Sequence, residues 1–171
     1  MTTMKSFIFL LLIAISFSSL QAQQQYSTSS RRAAESLQNA MKNYRIKEYD
    51  NALENIRNAL DWDDDFIEAY IVRGQVYEAK DDDSLALDSY KEAIDIDPDF
   101  FPKVLYSAGL IGLKMGKYSQ AKEYFNRFMN KEGIGPIFVE RANKQIRSCN
   151  FALKQLNNPV PFDPKNLGNK I

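Results

Sequence analysis

The chain has 171 residues, and its 22 Lys and Arg are balanced by 22 Asp and Glu, so net charge alone names no partner. It has no His and a single Cys, Cys149; this removes the commonest general base and metal ligand, any internal disulfide and any thiolate zinc cluster. The charge is unevenly spread, with 9 basic against 18 acidic residues over 23–100 and 12 against 4 over 101–171, an asymmetry that can mark a partner with patches of its own.

Lys5 precedes an apolar run from Phe7 to Phe17, followed by Ser18, Ser19, Leu20, Gln21 and Ala22. Charged, apolar and small-residue regions in that order form a secretory signal peptide over 1–22, cut after Ala22. The alternative, an uncleaved anchor, is disfavoured because the run falls short of the roughly 20 residues a spanning helix needs. A bacterial lipoprotein would need a cysteine just after the run, and none stands there. The expectation is an exported chain with no direct membrane insertion once the leader is removed. Residues 23–32, rich in Ser and Gln, read as a disordered leader.

From there the chain repeats. Ala52 and Ala59 recur 34 residues later as Ala86 and Ala93; Gly74, Ala86 and Tyr90 recur 35 residues later as Gly109, Ala121 and Phe125. A period near 34 marks stacked helix-turn-helix units that cannot bury their apolar faces singly. The first unit spans 33–66, the second 67–100 and the third 102–135. Ser36 and Asn43 make the first unit's opening helix degenerate, as suits a terminal repeat with one side in water. Gly112 in the third unit is expected to loosen or kink its first helix. After Gly135 and Pro136, a helix over 137–156 has an apolar face (Phe138, Ala142, Ile146, Cys149, Leu153, Leu156) and a basic one (Arg141, Lys144, Arg147, Lys154). That pattern suits a cap. The predicted fold is all-α: three helix pairs, a capping helix and, over 157–171, an extended proline-rich tail.

Tyr70, Gly74, Tyr77, Ala86, Tyr90, Ala93 and Pro98 resemble the tetratricopeptide repeat pattern of aromatic, small, aromatic, small, aromatic, small and proline. The resemblance implies a non-enzymatic protein-binding scaffold whose concave groove is lined by the first helix of each pair. In that register the groove residues are Leu37, Met41, Tyr44 and Arg45, then Glu68, Ile71, Gln75 and Glu78, then Lys103, Tyr106, Leu110 and Lys114. Mixed apolar, aromatic and charged groups suit an extended peptide or a partner helix, although several of these residues can instead pack on neighbouring repeats. Tyr44 and Tyr106 stand out as candidate anchors. Chaperone-tail adaptors of this family clamp a terminal carboxylate with Lys and Asn; the matching positions here are Leu37 and Met41, so that clamp is absent.

No other chemistry is implied. The acidic runs 61–65 and 81–83 lack the spaced acids, central glycine and closing glutamate of a calcium loop, and no catalytic set, metal site or cofactor is expected. Basic residues on the last helix are a weak nucleic-acid signal, and no nucleic-acid partner is expected of an exported chain. Two other readings remain: a spacer or self-association module that uses its acidic and basic halves, and a carboxylate-based periplasmic hydrolase.

The tail contains Asn158-Pro-Val-Pro-Phe162, then Asn166-Leu-Gly168 and Ile171. This resembles the junction in Bacteroidota envelope proteins in which tetratricopeptide repeats precede a β-propeller and an outer-membrane-protein-A-like domain. Some members of that family serve type IX secretion and gliding. The resemblance implies a periplasmic location at the outer membrane and envelope-protein partners. Peptidoglycan binding would belong to domains that this chain lacks. The chain departs from the pattern by stopping where the propeller would begin, which fits either an N-terminal fragment or a free-standing scaffold.

Overall fold

A computed structural model describes residues 26–158; the leader to Ala22 and the tail from residue 159 lie outside them. Seven α-helices follow in order: α1 Arg31–Arg45, α2 Tyr49–Trp62, α3 Ile67–Ala79, α4 Asp83–Ile96, α5 Lys103–Lys114, α6 Tyr118–Met129 and α7 Pro136–Asn157. The first six form three antiparallel pairs and α7 packs on α6, giving the all-α solenoid. No helix among the described residues is long and apolar enough to cross a membrane.

Local chemistry sets the helix ends. Ser30 accepts from the Ala33 N–H at 3.2 Å and starts α1; Asp82 accepts from the Leu85 N–H at 3.1 Å and starts α4. Each supplies an acceptor to an otherwise orphaned first-turn donor. Pro136 opens α7, where its missing N–H costs nothing. The turn inside each pair is the same device three times. Lys47, Asp81 and Gly116 all have left-handed φ, at 64°, 58° and 74°. The next residue then reaches back five positions: Glu48 to the Asn43 carbonyl, Asp82 to Tyr77 and Lys117 to Gly112, at 2.8–2.9 Å. This is the Schellman closure, which usually takes glycine at the left-handed position; only the third repeat supplies it.

The core divides α3 between two repeats. Ala69, Val72 and Val76 bury against Leu37, Ala40, Ala52 and Ile56 of the first pair. Ile67 and Ile71, on the other flank of α3, join Leu87, Tyr90, Val104, Leu105 and Ala108. Buried small residues let the helices approach. A Cβ on Gly109 would stand 2.7 Å from the Phe125 ring, so that ring occupies the space a side chain would need. Gly112 does not loosen its helix: α5 runs unbroken, and Gly112 is buried with Ala121 of α6 so close that an added Cβ would meet it at 3.3 Å. The glycine serves close packing.

Two further expectations change. The leader is ordered from Tyr26. Tyr26 stacks edge-on to Phe66 with centroids 5.6 Å apart, and the Ser27 hydroxyl accepts from the Ile67 N–H at 3.1 Å, capping a helix whose own N-cap, Phe66, cannot. On α7, Phe138, Ala142, Ile146 and Cys149 pack inward, but Leu156 is exposed, because α7 has 22 residues and α6 only 12.

Part of the charge asymmetry is spent inside the solenoid. Lys80 pairs with Asp50 at 2.5 Å, Lys114 with Asp83 at 2.8 Å and Asp81 at 3.5 Å, and Lys131 with Asp99. Each lysine follows its acid in sequence and ties one repeat to the one before.

Candidate functional site

The groove residues of the sequence register fall into rows, one member per repeat. The row Leu37, Ile71 and Tyr106 is packed away. Leu37 and Ile71 are buried in the core. Tyr106 sits among Phe125, Phe128 and Phe138, with centroids 5.3–6.0 Å apart. Leu37 and Ile71 pack with the first helix of the following unit, whereas Tyr106 packs on Phe125 and Phe128 of its own pair and on Phe138 of α7. These three positions therefore build the stack, and Tyr106 is not an open anchor.

Two rows remain at the surface. Met41 and Gln75 are half-buried, and Leu110 of the same row is 37 % exposed. Beside them lie Tyr44, Arg45, Glu78 and Lys114, so the charges alternate positive, negative, positive along the groove. Glu78 accepts from the hydroxyl of Tyr90, which passes under α3 at Gly74. Burial first, and then this bond to a carboxylate, push the Tyr90 phenol far above its ordinary pKa. The ring is thus a neutral donor that holds Glu78 in place. Lys114 is held by Asp83 and Asp81. Tyr44 lies 6.1 Å from Tyr49.

Two residues of the register are engaged at the starts of their helices. At the opening of α3, Glu68 accepts from the Ser27 N–H at 3.0 Å and from its hydroxyl, so the leader holds this residue. Lys103 lies over the Phe138 ring at 5.3 Å, under the start of α7. What stays open is the middle: Met41, Tyr44, Arg45, Gln75, Glu78, Leu110 and Lys114.

A second concavity, unsuspected from the sequence, lies on the opposite side of α3. It has a volume of about 650 Å³ and is lined by Asp50, Leu53, Glu54, Arg57, Leu60 and Asp61 of α2 with Tyr70, Arg73 and Tyr77 of α3. Arg73 stacks on Tyr70 at 4.7 Å and donates to the Ser89 hydroxyl at 2.9 Å, which fixes the floor. The signal was in the repeat: Leu105, Ala108 and Gly112 of the third unit stand where the second has Tyr70, Arg73 and Tyr77. Among the described residues no cluster of three or more His, Cys, Asp or Glu has the arrangement of a metal site. Cys149 is buried, which raises its thiol pKa and removes it from thiolate chemistry at neutral pH.

Seven helices stacked as successive pairs define, among the described residues, a helical-repeat solenoid. Residues 67–100 and 102–129 match the family model of the tetratricopeptide repeat. The first tetratricopeptide domain of Spaghetti (RPAP3), solved with the HSP90 peptide SRMEEVD, has a TM-score of 0.64 at 18 % identity, over 74 % of this chain and 97 % of that one. The Yersinia enterocolitica type III secretion chaperone SycD, solved with a peptide of the translocator YopD, has a TM-score of 0.63 at 18 % identity over 72 % and 95 %. The Sgt2 domain of Aspergillus fumigatus has a TM-score of 0.64 at 19 % identity over 85 % and 97 %. No curated protein matches the sequence.

Proposed function

We propose that the chain is a non-enzymatic scaffold that binds an extended segment of a partner protein along the middle of the concave groove. The observation that carries this is the split between packed and open rows. Leu37 and Ile71 are buried in the stack and Tyr106 is half-buried among three phenylalanine rings, while Met41, Tyr44 and Gln75 keep part of their surface open and Glu78 and Leu110 are exposed on rigid helices. A preformed groove leaves most of the ordering cost with the ligand. The apolar row takes the ligand's aliphatic or aromatic side chains; Arg45, Glu78 and Lys114 set its polarity. Peptides bound to SycD and to the RPAP3 domain support this reading. With Leu37 and Met41 at the positions where chaperone-tail adaptors carry their clamp, the ligand here is an internal segment, not a chain terminus.

The working place proposed is the periplasm at the outer membrane. The run from Lys5 to Ala22 supports export, and the Asn158–Phe162 junction supports membership of an envelope assembly serving type IX secretion. Photo-crosslinkers at Tyr44 and Leu110, introduced in cells, are expected to capture one discrete envelope protein. Capture of the same protein from an exposed convex site such as Asn126, or of none from either groove site, overturns the reading.

A further inference from the structure

The solvent face of α7 is neither purely polar nor covered. Lys144, Arg147, Phe151 and Lys154 are all exposed, Phe151 at 66 %, and at 100° per residue they lie within about 80° of arc. α2 carries a matching stripe at the rim of the 650 Å³ cleft: Asp50, Glu54, Arg57 and Asp61, exposed and within about 60° of arc. Glu54, Asp61 and the α7 cations make no ion pair among the described residues.

The two stripes are nearly equal in length, stepping 3, 4, 3 on α7 and 4, 3, 4 on α2. One runs 144, 147, 151, 154 and the other 50, 54, 57, 61, each roughly 15–17 Å at 1.5 Å per residue. Laid side by side in parallel, they bring Lys144 to Asp50, Arg147 to Glu54, Phe151 to Arg57 and Lys154 to Asp61. That is two new opposite-charge pairs, a further cation beside Asp50, which already holds Lys80 of its own chain, and one cation–π contact. The antiparallel arrangement sets Arg147 against Arg57 and leaves Phe151 against Glu54, so the charges also select direction. Within one chain the stripes cannot meet, because α2 and α7 belong to the first and last layers of the solenoid. The tail is a poor cover for α7, since residues 159–171 add two lysines against one aspartate.

We infer that a second copy of this chain is the partner: α7 of one molecule lies along α2 of another, with Phe151 entering the cleft floored by Tyr70 and Tyr77. The cleft lies across α3 from the concave groove, so a self-associated molecule keeps its groove open. Attraction between exposed charges is screened by salt, and association is therefore expected at low ionic strength and lost at high.

Sedimentation velocity of the full chain tests this, with far-UV circular dichroism to confirm folding of each variant. The wild type is expected to sediment as a dimer or larger species in low salt. Glu54→Lys with Asp61→Lys on one surface, or Arg147→Glu with Lys154→Glu on the other, is expected to weaken association about tenfold or more. Each double variant alone stays monomeric, and mixing the two restores a complex of unlike copies through the reversed pairs. A wild type that is monomeric in low salt overturns the inference. So does loss of association on altering α7 but not α2, which would assign the basic stripe to another acidic ligand, or a mixture that forms no complex.

Discussion

Replacing Gly74 by Ala puts a methyl group where Tyr90 passes under α3. The new Cβ would stand 2.7 Å from Tyr90 Cδ1 and 2.8 Å from Cζ, about 1 Å inside normal carbon contact. The ring has nowhere to go, because it is buried and its hydroxyl is tied to Glu78. Overpacking costs about 1–3 kcal/mol, and pulling the hydroxyl off a charged acceptor costs about 1.5–3 kcal/mol. Against this, Ala gains about 1 kcal/mol over Gly in a helix. The net expectation is a loss of about 1.5–5 kcal/mol, or a fall of roughly 1–2.5 M in the urea midpoint. Gly112→Ala is the control: the same propensity gain meets only a 3.3 Å contact with Ala121, and the midpoint should barely move. In a Tyr90→Leu background, Gly74→Ala should cost less than half as much. A Gly74→Ala midpoint at or above wild type refutes the steric account.

Lys47→Gly should raise stability by up to about 1 kcal/mol in urea denaturation, since it relieves a left-handed lysine at an exposed turn. Ser27→Ala should remove the borrowed cap of α3, costing about 1 kcal/mol and speeding hydrogen exchange at the Ile67 amide, with the interior of α3 unaffected. Tyr90 is neutral in both states below pH 10, the ordinary value for its phenol. Above that the unfolded chain ionises while the buried ring resists, so stability should fall as pH rises through and beyond 10. Tyr90→Phe should flatten part of that fall; Tyr70 and Tyr124, also raised mainly by burial, keep the remainder.

The same positions show how far a sequence of this kind can be read. Spacing alone located the repeats, because identical units put Ala, Gly and aromatic residues at identical places in a periodic stack. It also assigned Tyr44, Glu78 and Leu110 to a groove register, and the structure leaves Tyr44 half-buried and the other two exposed. It did not separate them from Leu37, Ile71 and Tyr106, since a helical wheel gives direction and not what stands opposite. The leader was misread for a related reason: Ser27 has no local partner, and its acceptor and donor, Glu68 and the Ile67 amide, lie about 40 residues away.

Periodicity by itself determined an all-α solenoid, because a repeat near 34 with small residues at fixed points admits one stacking. Composition determined the charge split between the halves. Tertiary structure decided which face is left over. Neighbouring helices bury Leu37 and Ile71, the leader holds Glu68, the start of α7 packs beside Lys103, and two tyrosines with an arginine line a cleft on the other side of α3. Each of these depends on which side chain meets which across repeats, a contact between residues far apart in the chain that no local pattern encodes.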